Sequence, residues 1–113
     1  MNIDAETGRK IQELQVLEHN LQALLMQKQA MQSEANEILT ALEEIKKTKD
    51  EIYKIVGGIM LKSEKQAIEK ELGEKKKIID LRMSSIEKQE KIFEEKSEKL
   101  RKEVSEKLSN KKE

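Results

Sequence analysis

Ile52-Tyr53-Lys54-Ile55-Val56-Gly57-Gly58-Ile59-Met60-Leu61-Lys62 is the stretch that decides the fold. Two short apolar runs flank a Gly-Gly pair. A two-residue hairpin turn needs positive φ at its centre, which glycine supplies without steric cost, so the pattern predicts a tight β-hairpin. The strands do not alternate cleanly. Ile52, Tyr53, Ile55 and Val56 put apolar groups on both faces, and such a strand needs cover on both sides. A two-stranded hairpin is marginal in water by itself, and its open edges invite pairing with another chain. The sequence therefore reads as one piece of an assembly.

On either side of the hairpin the chain is rich in Lys and Glu. Charged residues make up 41% and aromatic residues 2% of the 113 residues, too little large apolar surface for a thick globular core. Proline is absent, which permits long unbroken helices. Leu14, Leu21, Lys28, Ala35 and Leu42 recur every seventh residue, and Leu17, Leu24, Met31, Ile38 and Ile45 follow each by three, an a/d seam with a polar break at Lys28. Asp4 is placed to cap this first helix. After the hairpin, Leu72, Ile79, Ile86, Phe93 and Leu100 repeat with the same period. Ser63 and Gln66 have the spacing of a capping box, and fraying is expected from Glu106 onward. Gly73 interrupts the second helix with no sequence reason beyond close packing near the bend.

Folding the chain about Gly57 sets Leu42 against Leu72, Ala35 against Ile79, Lys28 against Ile86, Leu21 against Phe93 and Leu14 against Leu100. This is the pairing of an antiparallel coiled coil, which a short bend favours. The expected fold is mainly α: a long antiparallel coiled-coil helical hairpin with one β-hairpin at the bend. The expected domain is single, 1–113, with a helix over 5–48, the β-hairpin over 51–62 and a helix over 63–110. The second seam is unbalanced. Met31 meets Met83, but Leu24 meets Glu90, Leu17 meets Ser97 and Ile38 meets Lys76, and Ile11, Leu25 and Leu39 lie beside the seam without an obvious partner. Helix one then carries more apolar surface than helix two covers, and surplus apolar surface marks a binding site.

Little here supports catalysis, which needs convergent polar groups in a pocket. His19, the one histidine, falls at an outward f position. Cysteine is absent, so there is no disulfide framework or thiol nucleophile. Gly57-Gly58 lacks the surrounding pattern of a phosphate loop, and no cofactor is expected. Glu94-Glu95 and Lys75-Lys76-Lys77 read as solvated helix faces. The formal net charge is zero, and Lys111-Lys112 has no aromatic neighbours, which argues against nucleic acid. Met1-Asn2-Ile3-Asp4 does not open a signal peptide, no apolar run is long enough to span a membrane, and a cytoplasmic protein is the expectation.

The chain resembles prefoldin beta subunits of the archaeal type. The residues that carry the resemblance are Gln27-Lys28-Gln29, the hairpin from Ile52 to Met60, Leu81-Arg82 and Glu87-Lys88-Gln89-Glu90. A single hairpin also points to the beta type, because alpha subunits of the family carry two. The resemblance implies a hexamer of two alpha and four beta subunits, with the hairpins joined into an intersubunit β-barrel. It also implies capture of non-native client proteins at the coiled-coil tips without ATP, and their delivery to a group II chaperonin. On this sequence the oligomer interface would be Ile52, Tyr53, Ile55, Val56, Ile59, Met60 and Leu61. Client binding would fall to Ile11, Leu14, Val16, Leu17, Leu21, Leu24 and Leu25, with Phe93, Leu100, Val104 and Leu108 opposite. Among these, Ile11, Val16, Leu17, Leu24 and Leu25 stand outside the expected pairing or lack an apolar partner in it. A structural coiled-coil adaptor without clients explains the heptads equally well but leaves the apolar strands unexplained.

Overall fold

The computed structural model describes residues 4–110. In chain order they form helix α1 (Ala5–Lys47), strands β1 (Ile52–Val56) and β2 (Ile59–Ser63), and helix α2 (Lys65–Asn110). Residues 1–3 and 111–113 lie outside the described residues. They include the ends of the expected domain, the opening Met1-Asn2-Ile3 and the tail lysines Lys111 and Lys112.

Asp4 caps α1: its Oδ1 accepts the Thr7 N–H at 2.7 Å, and its carbonyl accepts the Gly8 N–H at 3.0 Å. The helix ends without glycine or proline. Thr48 N–H donates to the Glu44 carbonyl at 3.0 Å, and Thr48 Oγ1 then accepts the Asp50 N–H at 3.2 Å, turning the chain away. Lys46 and Lys47 in the last turn suit the negative end of the helix dipole.

The start of α2 departs from expectation. Its first carbonyl acceptor is Glu64, which takes the Ile68 N–H at 3.1 Å, and the helix begins at Lys65. Ser63 is instead the last residue of β2, paired with Ile52. The strand pairing claims the residue that a capping box would need. At its other end α2 continues helical to Asn110, through the residues from Glu106 where fraying was expected.

The described residues divide into two compact units, a terminal unit of residues 4–28 and 84–110 and a hairpin unit of residues 29–83. In the hairpin unit, Ala35 and Ile38 of α1 and Ile79 of α2 form a buried cluster, with Met31, Leu42 and Leu72 packed against it. These are the seam residues of the heptad reading, in its antiparallel register. In the terminal unit Leu17, Leu24, Ile86 and Val104 are buried, and ion pairs step down one helix as they climb the other. Lys10 pairs with Glu103 at 3.0 Å, Glu18 with Arg101 at 2.9 Å, and Lys28 with Glu90 at 3.2 Å.

Gly73 does not serve close packing. A methyl group added at its Cα would meet nothing within 4 Å.

Candidate functional site

The hairpin has the expected tight turn. Gly57 and Gly58 carry φ of 55° and 79°, the left-handed pair that a type I′ turn requires and whose twist matches that of the strands. The register pairs Val56 with Ile59, Ile55 with Met60, Lys54 with Leu61, Tyr53 with Lys62 and Ile52 with Ser63.

That register sorts the side chains onto two faces. One face carries Tyr53, Ile55, Met60 and Lys62. The other carries Ile52, Lys54, Val56, Ile59 and Leu61. The second is tied to the start of α2, because Lys54 Nζ donates to both Glu71 oxygens at 2.7 and 2.8 Å. Neither face is covered. Ile55 is 70% exposed and Met60 64%, while Tyr53, Val56, Ile59 and Leu61 are each about half exposed or more; among the apolar strand residues Ile52 alone is half-buried. The residues flanking a two-residue loop exchange their hydrogen bonds, and the pattern alternates along the ladder. Tyr53 and Ile55 therefore turn N–H and C=O groups outward on one edge, and Met60 and Lys62 do so on the other.

A small polar network sits at the base of the first face. Tyr53 O–H donates to Glu51 Oε2 at 2.6 Å, and Lys62 Nζ donates to Glu51 Oε1 at 3.0 Å. The hydrogen bond from Tyr53, then that from Lys62, holds the Glu51 carboxyl below its ordinary pKa. The same bond pushes the Tyr53 hydroxyl up.

The terminal unit holds the second set of expected site residues, and the structure divides them. Val16 and Leu25 are exposed. Ile11, Leu14, Leu21, Phe93, Leu100 and Leu108 are half-buried. Leu17, Leu24 and Val104 are buried. The expectation that Leu17 and Leu24 stand uncovered is corrected: they are only 8% and 7% exposed. The residues that the register sets opposite them are themselves withdrawn from solvent. Ser97 is small and fully buried. The Glu90 side chain is only 16% exposed, and its carboxylate pairs with Lys28 at 3.2 Å. The surplus on α1 is thus Val16, Leu25, Met26 and Leu39, and α2 has exposed apolar residues of its own in Ile78, Leu81 and Ile92. The heptad reading missed these last three, although each falls at an outward position, c or f.

In the terminal seam the Ser97 and Thr7 hydroxyl oxygens are buried with no hydrogen-bond partner. Lys10, drawn by a hydrogen bond to Glu103, has its pKa raised. Among the described residues, no cluster of three or more acidic, histidine or cysteine side chains is arranged to hold a metal ion, and no helix is long and apolar enough to cross a membrane.

Comparison with known proteins adds the following. The family model described as prefoldin subunit matches residues 9–111. Prefoldin subunit beta of Saccharolobus islandicus (strain L.S.2.15 / Lassen #1) is 37% identical over 89 residues, 77% of this chain and 71% of its own. Prefoldin subunit beta of Pyrococcus furiosus is 35% identical over 91 residues, 79% of this chain and 78% of its own. The crystal structure of the prefoldin beta subunit from Thermococcus strain KS-1 superimposes with a TM-score of 0.86 at 31% identity, covering 95% of this chain and 96% of that one.

Proposed function

The chain belongs to the prefoldin subunit family, whose members are chaperone subunits, and from that premise we propose that it is a beta-type subunit that holds non-native proteins without ATP. The observation that carries the proposal is the hairpin, apolar on both faces and open on both edges. Burying one such Ile, Leu or Met side chain contributes roughly 1.5–3 kcal/mol. Strand addition on each edge satisfies the outward groups of Tyr53, Ile55, Met60 and Lys62 at the same time. Hairpins of neighbouring subunits would supply both kinds of cover, and membership of the family implies the form of the assembly, a hexamer of two alpha and four beta subunits closed through a β-barrel. A closed barrel leaves no strand edge.

Clients are captured by the terminal units and handed to a group II chaperonin in the cytoplasm. The surfaces available in the folded chain are Val16 and Leu25, with the half-buried Ile11, Leu14, Leu21, Phe93, Leu100 and Leu108 beside them. Several weak apolar contacts spread over several arms give avidity without sequence specificity.

The test is native mass spectrometry on the complex purified through this chain, together with suppression of aggregation of a chemically denatured client. A hexamer with four copies of this chain and two of a different subunit, active without nucleotide, is the expected result. A homodimer or monomer that leaves aggregation unchanged would favour a structural coiled coil.

A further inference from the structure

We propose that the terminal unit takes its client on one side only, the side bearing Leu25 and Leu108, and that the segment it takes is apolar with a lysine or arginine next to its apolar residues. This rests on the chaperone reading above and gives that site a direction and a charge preference.

The two sides of the helix pair differ in chemistry. Beside the seam on one side, the flanking positions are Ile11, Glu18 and Leu25 on α1 and Glu87, Glu94, Arg101 and Leu108 on α2, three of them apolar. On the other side they are Glu13, Asn20 and Gln27 on α1, and Gln89, Lys96 and Glu103 on α2. Two grooves open on the side that carries these apolar residues. One open groove, of about 410 Å³, is lined by Leu14, Val104 and Leu108; a second, of about 460 Å³, is lined by Leu21 and Leu25. Arg101 lines both, and its ion pair with Glu18 at 2.9 Å crosses between them. Each groove has room for a few side chains.

The charges around the second groove decide which segment fits. Glu18, Glu90, Glu94 and Arg101 all line it. Glu18 is engaged by Arg101, and Glu90 by Lys28 at 3.2 Å. Among the described residues, no ion pair engages Glu94. An apolar segment seated against Leu21 and Leu25 therefore lies beside a carboxylate that lacks a cation. A basic neighbour supplies one, whereas an acidic neighbour meets like charge there.

Two dye-labelled peptides with the same apolar core, one flanked by lysines and one by glutamates, test this by fluorescence anisotropy on the assembled complex. At low salt the lysine-flanked peptide is expected to bind about two- to fivefold tighter, the range of an exposed ion pair, and high salt closes the gap. Glu94→Gln removes most of the preference, Glu13→Gln on the opposite side leaves it, and Leu25→Ser weakens both peptides. Equal binding of the two peptides by a complex that still suppresses aggregation overturns the proposal and leaves the chaperone reading standing. A preference that follows Glu13→Gln and ignores Glu94→Gln overturns the choice of side. A complex that binds neither peptide and suppresses nothing overturns both.

Discussion

Leu17 and Leu25 sit eight residues apart on one helix, yet one is buried and the other exposed. Their serine variants separate packing from client contact. Leu17→Ser leaves a cavity and a buried hydroxyl, and is expected to cost about 2–4 kcal/mol. Leu25→Ser is expected to change stability by about 0.5 kcal/mol or less while reducing aggregation suppression. Thermal unfolding by circular dichroism reads the first effect and client turbidity the second. An equal loss of stability in both variants would contradict the assigned burial. The sequence set Leu17 in the seam and Leu25 beside it but left both without an apolar partner, because it shows a serine opposite Leu17. That a seam leucine is buried despite a polar partner is not visible in a hydrophobic pattern; Ser97 is small and itself fully buried.

Tyr53 is the only tyrosine in a chain without tryptophan, so its ionisation can be followed in the ultraviolet without interference. Its hydrogen bond to Glu51 raises its pKa, so the protonated hydroxyl is favoured in the folded hairpin. That contribution is complete below the ordinary tyrosine value near 10 and is lost as pH rises through the raised folded value. Glu51 behaves oppositely. Its carboxyl is held low, so its contribution is present above the ordinary value of 4.5 and is lost as pH falls through the depressed one. The Tyr53 titration midpoint is expected above 10 and closer to 10 in Glu51→Gln. A midpoint unmoved by that substitution would remove the hydrogen bond from the account.

At the scale of elements, the hairpin and the antiparallel register were legible from residue order, because a glycine pair and a seven-residue period each answer to one geometry. The start of α2 was not. Ser63 and Gln66 have the spacing of a helix cap, but cross-strand pairing with Ile52 draws Ser63 into β2. Gly73 shows a different limit of sequence reading. Close packing, the reason expected for it, does not hold, since an added methyl group meets only open space. Its position inside a helix carries the ordinary backbone entropy cost, so Gly73→Ala is expected to stabilise the chain by about 0.5–1 kcal/mol. A lower melting temperature for that variant would mean that glycine is needed there for something the isolated chain does not display, such as a neighbour in the assembly.

At the scale of the whole molecule, the proposed function predicts that assembly and capture are coupled through avidity. Ile55→Asp places a charge on an exposed, unstrained strand position, so the helices are expected to keep their circular dichroism while the oligomer disperses. The same variant is expected to lose most aggregation suppression although no residue of the terminal unit has changed, because single arms hold clients weakly. A dispersed variant that still suppressed aggregation at equal chain concentration would show that one arm suffices. An unaltered mass would count against the barrel.

The exposed hairpin also bears on the supply of subunits. Ile55, Met60 and their neighbours present to solvent the same apolar, edge-open chemistry that marks a misfolded chain. Under the proposed function, a copy synthesised without partners displays the kind of surface that quality-control proteases and holdases bind. Its cellular half-life is then expected to shorten when the other subunit is withheld, and a half-life unchanged by that withdrawal would count against the hairpin as the assembly surface. The proposed assembly surface would in this way also act as a timer on unassembled copies.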